Sequence, residues 1–143
     1  HWADPERALP ALARALAPGG ALTVLWNVRD EEASEVLAFT RARIEARAPG
    51  FDEGYRDRDW AAVLVSTGDF GEVELDEERH AVAMSAARYA ELWRSHHLLE
   101  RAIGKDGVAA LVREIEEHLG GREVAVPYVC RAWTARALAR TTR

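Results

Sequence analysis

The chain has 143 residues, of which 48% are apolar and 30% charged, and its formal net charge is -5. These values predict one globular domain over residues 1–143, and the interspersed acids and bases argue against nucleic acid or a membrane surface as the main partner. The apolar runs are too short to span a bilayer. The single cysteine, Cys130, excludes an internal disulfide, so we expect a cytoplasmic protein.

The first stretch predicts a helix, a tight turn and a strand. Asp4 and Pro5 are typical of a helix start, and the Pro18-Gly19-Gly20 turn ends that helix. The run Ala-Leu-Thr-Val-Leu-Trp at 21–26 is nearly all apolar, which favours a strand covered on both faces, as in parallel sheets. A polar loop is expected at 27–30. The chain starts with His rather than Met, so we expect a piece of a longer protein.

Two helices and a long strand are predicted next. Asp30 is a candidate cap for a helix reaching about Arg47, with a buried face formed by Val36, Leu37, Thr40 and Ile44. A short helix follows at about 59–66. Residues 70–84 alternate as a strand does, but the phase of the apolar side chains changes along the way, which predicts a bulge near 76–79.

The last third of the chain predicts two helices and a final strand. Ser85 is a candidate cap for the helix that carries Trp93, and a connection is expected at 98–104. Asp106 is a candidate cap for a helix with a single apolar stripe, made of Val108, Leu111, Val112, Ile115 and Leu119. A strand is expected from about 123 to 135, although Pro127 is awkward in a central strand. Alternating helices and strands predict an α/β layer fold.

Candidate binding residues lie in two places, and no catalytic group or metal site is recognisable. Asn27 and Arg29 follow the carboxyl end of a buried strand, where ligands bind in open α/β sheets, although polar loop residues are common there. His96 and His97 are adjacent on a helix and point about 100° apart, which is poor for joint metal binding. They predict a pocket wall or a partly exposed helix surface.

The opening segment HWADPERALPALARALAPGGALTVLWN resembles the middle of a class I S-adenosylmethionine-dependent methyltransferase of the small-molecule type. Later segments that begin at Thr67, Leu92 and Val126 follow in the order of that family. The resemblance implies α/β architecture, the second half of a Rossmann-like fold. Three main strands would lie in the spatial order five, seven, six, with the last antiparallel and helices on the flanks.

The resemblance also implies a cofactor and a substrate. S-adenosylmethionine would serve the intact protein but is not expected to bind this chain alone, because the family's Gly-rich loop and cofactor-binding acids are upstream motifs that this sequence lacks. The other ligand would be a small-molecule methyl acceptor. Two residues would border the methyl-transfer site, His1 and Trp2. Six others would line the acceptor pocket, namely Asn27, Arg29, Trp93, Arg94, His96 and His97.

Two other interpretations stay open. Without the family's fourth strand, the strand from Ala21 to Trp26 has an unpaired apolar edge, which invites another strand. The chain would then be a non-catalytic assembly module that pairs with a missing N-terminal half or forms a homodimer through this edge. The remaining interpretation is an unrelated α/β domain with a coincidental match.

Overall fold

The computed structural model of the protein describes residues 3–52, 54–56 and 58–139. Within these ranges the chain is an α/β protein with a three-stranded antiparallel sheet and flanking helices, which confirms the predicted fold class at that level. The elements in chain order are α1 (Pro5–Ala15), β1 (Ala21–Arg29), a 3₁₀ helix (Glu31–Ala33), α2 (Glu35–Arg47), α3 (Trp60–Val65), β2 (Phe70–Met84), α4 (Ala86–Arg94), α5 (His97–Leu119) and β3 (Val124–Ala137).

The last strand of the chain is the central strand of the sheet, whose order is β1-β3-β2. β1 and β3 are antiparallel, because the Ala137 amide donates to the Gly20 carbonyl at one end of the ladder and the Asp30 amide donates to the Pro127 carbonyl at the other. This is the strand order expected from the resemblance. Both strands that flank β3 in the sheet precede it in the sequence.

β2 also runs antiparallel to β3. The Leu138 amide donates to the Asp69 carbonyl at the start of β2, and the Arg131 guanidinium donates to the Glu77 carboxylate at 2.6 Å farther along. The bulge predicted near 76–79 stays a prediction.

β1 continues through residues 27–29, where the sequence predicted a polar loop. Pairing with β3 carries it that far, since the ladder persists to the hydrogen bond between Asp30 and Pro127 (3.0 Å). Pro127 stands opposite the first residue after β1, so its missing N–H falls where the ladder ends. Asn27 and Arg29 are consequently strand residues, and Pro127 is tolerated in a central strand.

The side chains of β1 alternate between half-buried and exposed, which corrects the prediction of a strand covered on both faces. Leu22, Val24 and Trp26 pack against a core to which α1 and α3 contribute, whereas Leu25 on the other face is 55% exposed. Thr23, also on that exposed face, shares a hydrogen bond with Thr134 at 2.9 Å. The described helices near β1 cover only one of its faces. The sequence does not show which face is covered, because apolar residues occupy both faces of this strand.

Helix starts follow the predicted capping chemistry at Asp4 and Ser85, two of the four predicted caps, and Asp59 caps α3 in the same way. The side-chain oxygens of Asp4, Asp59 and Ser85 accept hydrogen bonds from the amides of Glu6, Ala62 and Arg88. The predicted cap at Asp30 is wrong. The chain forms a 3₁₀ helix there, α2 begins at Glu35, and the Asp30 carboxylate pairs with the Arg79 guanidinium instead.

The two long helices bury the faces that the sequence predicted. α2 buries Val36, Leu37, Thr40 and Ile44, and α5 buries Val108, Leu111, Val112, Ile115 and Leu119 together with Leu99. α5 begins at His97, so residues 98–103 of the predicted connection are helical, and the predicted cap at Asp106 lies within α5. Gly104 interrupts this helix with φ at 73°, a backbone conformation that glycine adopts without a steric penalty.

The described chain divides into two compact units, and the prediction of a single domain stays a prediction. The first unit comprises His1–Asn27, Gly54–Glu78 and Cys130–Arg143. Its core contains Leu9 of α1, Trp60 and Leu64 of α3, Phe70 of β2, and Trp133 and Ala135 of β3. Each of the three strands has residues in both units.

The second unit comprises Val28–Glu53 and Arg79–Val129. α2, α4 and α5 supply most of its core, which is centred on side chains with almost no exposed surface, among them Leu37, Tyr89, Leu99, Leu111, Ile115 and Val126. At its surface Arg47 of α2 pairs with Glu114 of α5 at 2.5 Å. Over the described ranges, no helix combines the length and apolar character needed to cross a bilayer.

Candidate functional site

Three of the predicted pocket residues come together in the second unit. The guanidinium carbon of Arg29, on the last residue of β1, lies 4.4 Å from the ring centroid of Trp93 on α4. The His96 ring lies nearly parallel to the Trp93 ring, with 5.9 Å between centroids and 9° between planes. Trp93 is buried, so it is the fixed surface on which a cation and an imidazole are stacked. We call Arg29, Trp93 and His96 the stacked triad.

His96 also starts α5. Its Nδ1 accepts a hydrogen bond from the Leu99 amide at 3.3 Å, which makes His96 the N-cap of the helix. The neutral imidazole that accepts at Nδ1 carries its proton on Nε2. Phe51 packs edge-on against the same ring, with 6.0 Å between centroids. The imidazole is therefore held in one orientation by a helix start and two aromatic neighbours.

A buried hydroxyl pair adjoins the triad. Tyr89, one turn before Trp93, meets its ring edge-on at 6.3 Å, and the Tyr89 hydroxyl shares a hydrogen bond with Thr40 at 2.9 Å. Thr40 also donates to the Val36 carbonyl at 2.8 Å. Burial raises the pKa of Tyr89 from its ordinary value of 10.0, against the opposing effects of the Thr40 hydrogen bond and the positive charge of Arg29. Tyr89 is therefore protonated at neutral pH and is no general base there.

The other predicted site residues are placed elsewhere. Arg94 pairs with Glu91 at 2.7 Å and lies 3.8 Å from Glu116, so it joins α4 to α5 at the surface. His97 is exposed, and Asn27 is an exposed residue of the first unit. His1 and Trp2, expected at the methyl-transfer site, lie outside the described residues.

The first unit holds an aromatic cluster that the sequence pattern did not indicate as a site. Trp26, near the end of β1, lies 5.2 Å from Tyr55 and 5.1 Å from Trp60 between ring centroids. The Trp60 indole N–H donates to the Tyr55 carbonyl at 2.8 Å. Arg58 lies over Trp60 at 5.2 Å. The available signal was the alternation of aromatic, basic and acidic residues in YRDRDW at 55–60, but only folding brings Trp26 to it.

The chemistry that these residues can perform is binding and orientation. Arg29 supplies a permanent positive charge on a planar fork, and His96 supplies one N–H of known direction. Within the described ranges, no three or more His, Cys, Asp or Glu side chains are grouped so as to hold a metal ion. The triad therefore suits a ligand whose polar groups need a fixed donor beside an aromatic surface.

Neither the turn at Gly20 nor Asp30 offers a binding group to S-adenosylmethionine, the cofactor implied by the resemblance. The amide of Gly20 is occupied, because it donates to the Ala17 carbonyl at 2.8 Å inside a helix-to-strand turn. A phosphate- or nucleotide-binding turn instead leads from a strand into a helix. Asp30, the acid that follows β1, is paired with Arg79 and is not open to a ribose.

Comparison with known proteins gives a short local similarity. No known protein-family profile matches the chain. Over 31 residues the chain is 61% identical to an uncharacterised methyltransferase of Mycobacterium bovis and to two sequences so described from strains of Mycobacterium tuberculosis. The similarity covers 22% of this chain, and the chain spans 13% of the length of each of these relatives. A segment of the chain is thus similar to methyltransferases whose substrates are not described.

Proposed function

We propose that this chain is the acceptor-side part of an S-adenosylmethionine-dependent methyltransferase, with the fold of the second half of a class I enzyme. In the intact protein, the methyl group passes from the cofactor to a small-molecule acceptor. The observation that carries the proposal is the 31-residue segment at 61% identity to proteins described as methyltransferases. The strand order β1-β3-β2, with an antiparallel strand in the centre, supports the class I assignment.

In this proposal the chain contributes binding and not proton transfer. Methyl transfer by in-line displacement depends mainly on holding the acceptor in line with the methyl donor. Arg29 and His96 would orient the acceptor beside Trp93, and Tyr89 would remain neutral behind them. His1 and Trp2 would border the reacting methyl group.

Cofactor binding separates this proposal from its alternatives. Calorimetric titration of S-adenosylmethionine into the 143-residue chain should give no binding heat, because the sequence lacks the Gly-rich loop and cofactor-binding acids of the family that it resembles. The coding sequence upstream of His1 should contain a D-x-G-x-G segment roughly a hundred residues earlier, after a strand. The longer protein that includes this segment should bind the cofactor.

Two results would count against the proposal in different ways. Micromolar binding by the 143-residue chain alone would show that cofactor binding does not require an upstream half. A longer protein that carries the D-x-G-x-G segment and still binds no S-adenosylmethionine would refute the methyltransferase assignment itself.

A second candidate function is assembly through the edge of β1. β1 is at one end of the strand order, and among the described residues its outer edge pairs with no other strand. Because the amide of Asp30 and the carbonyl of Gly20 point toward β3, the amides of Thr23 and Leu25 point outward. The side chain of Leu25 is exposed as well. We propose that this edge pairs with an N-terminal half in the longer protein and with a second copy in the isolated chain.

Proline at Leu25 tests this edge. Leu25→Pro removes an outward amide and leaves the ladder to β3 intact, so it should convert a dimer of the chain into a monomer in sedimentation velocity. Leu25→Thr is the matched control, because it removes the same apolar side chain and keeps the amide, and it should remain dimeric. An unmodified chain that sediments as a stable monomer would contradict the assembly function.

A further inference from the structure

An apolar groove in the first unit has no part in the proposed methyl transfer. It lies between α1, α3 and the half-buried face of β1 and has a volume of about 110 Å³. Its walls include the side chains of Ala8 and Leu12 from α1, Leu22 and Val24 from β1, and Trp60 and Leu64 from α3. Leu12 is 43% exposed, so apolar surface in this groove remains open to a ligand.

The volume limits the size of the ligand. An apolar cavity of about 150 Å³ in another protein accepts benzene and stays free of water. A groove of 110 Å³ that is open on one side therefore suits an apolar body of about one six-membered ring. Burial of that body against leucine, valine and indole surfaces is favourable because apolar area leaves water.

One charge decides the class of ligand. Among the described residues that line the groove, Arg58 alone has a charged side chain. Its guanidinium lies over the Trp60 ring, 5.2 Å from the centroid. None of its donors meets an acceptor among the described residues. Asp4 and Glu6 share a neighbouring surface depression with Arg58, but neither is within ion-pair distance of it. A guanidinium held against a ring presents its planar N–H fork, which matches a carboxylate.

We propose that this groove is a binding site for small aromatic or branched aliphatic carboxylates. The apolar body fills the space between α1, β1 and α3, and the carboxylate takes a bidentate hydrogen bond from Arg58. This site lies wholly within the first unit, whereas the stacked triad lies in the second. It does not depend on the methyltransferase assignment.

Titration with benzoate, followed by amide shifts in two-dimensional NMR of the full chain, tests the site. Benzoate should shift amides of α1, α3 and 22–24, whereas benzyl alcohol, which has the same ring without the charge, should bind about tenfold more weakly. Arg58→Gln should weaken benzoate about tenfold and leave benzyl alcohol unchanged. Arg7→Gln is the matched control, since Arg7 is an exposed arginine of α1 that does not line the groove, and it should bind benzoate like the unmodified chain.

Two further measurements make the proposal falsifiable. Ala8→Phe fills the groove from α1 and should abolish the shifts with both ligands. Equal affinity for benzoate and benzyl alcohol, or tighter binding of benzylamine than of benzoate, would overturn the proposal, because the first result removes the role of Arg58 and the second assigns recognition to Asp4 and Glu6. Shifts confined to residues outside the groove would overturn it as well.

Discussion

Replacing Trp93 with alanine should lower the free energy of unfolding by about 3–5 kcal/mol, the range measured for large aromatic side chains deleted from cores. Trp93 is 4% exposed and contacts the core of the second unit, Arg29, Tyr89 and His96. Its removal leaves a cavity and takes away the surface against which the cation and the imidazole pack. Urea unfolding followed by far-ultraviolet circular dichroism measures the loss.

Trp93→Phe is the matched control for the ring itself. Phenylalanine keeps an aromatic face for Arg29 and His96 and removes less volume, so it should cost less than half of the loss seen with alanine. If alanine and phenylalanine were equally destabilising, a smaller aromatic ring would not replace the indole as a packing surface, and the stacking explanation would be contradicted.

Phe70→Ala is the counterpart in the first unit, where Phe70 is 2% exposed. Hydrogen exchange should rise in α1 and α3 for this variant and in α2, α4 and α5 for Trp93→Ala. Because β1, β2 and β3 each have residues in both units, we expect one cooperative unfolding transition. Both variants should shift its midpoint to a lower urea concentration. Two transitions, each moved by only one variant, would contradict the prediction of a single domain.

The stability of the chain at alkaline pH should depend on Tyr89. The pKa of Tyr89 is raised in the folded chain, so above about pH 10 the unfolded phenol ionises before the folded one. The neutral phenol thus contributes stability that is fully present below about pH 10 and is lost as pH rises through the folded pKa. Within that window the loss is about 1.4 kcal/mol per pH unit for one group.

Tyr89→Phe isolates this contribution. At about pH 8 the variant should be about 1 kcal/mol less stable than the unmodified chain, since the hydrogen bond to Thr40 is lost. Above about pH 10 the difference should shrink, because phenylalanine has no proton to lose. Urea unfolding from about pH 8 to about pH 11 measures the stability difference between the two chains and its decrease at alkaline pH. Thr40→Val keeps the phenol and should still lose stability at alkaline pH. Parallel pH profiles of stability for the unmodified chain and Tyr89→Phe would refute the role of Tyr89.

Local patterns in the sequence were enough to define most elements and their buried faces. The helical period in α2 and α5 selected the side chains that are buried, and Asp4 and Ser85 cap helices as short-range hydrogen bonding dictates. The strand order also agreed with the resemblance. These features depend on residues within a few positions of each other, or on a motif order that the sequence displays directly.

Partners far apart in the chain decided what the patterns could not. Asp30 could cap a helix or pair with a cation, and the presence of Arg79, 49 positions later, settled this for the ion pair. Residues 27–29 looked like a loop because they include Asn27 and Arg29, but β3 extends far enough to pair with them. Strand length therefore depends on the neighbour that supplies the hydrogen bonds, which no local propensity contains.

The candidate sites show the same division. The sequence alone determined that Arg29, Trp93 and His96 have side chains suited to a binding site, and that a short helix lies at about 59–66. Only the tertiary structure set Arg29 over Trp93 and gathered Arg58, Trp60 and the α1 leucines around one groove. The physical reason is that stacking and apolar contact act over a few ångströms in space, whatever the separation of the residues along the chain.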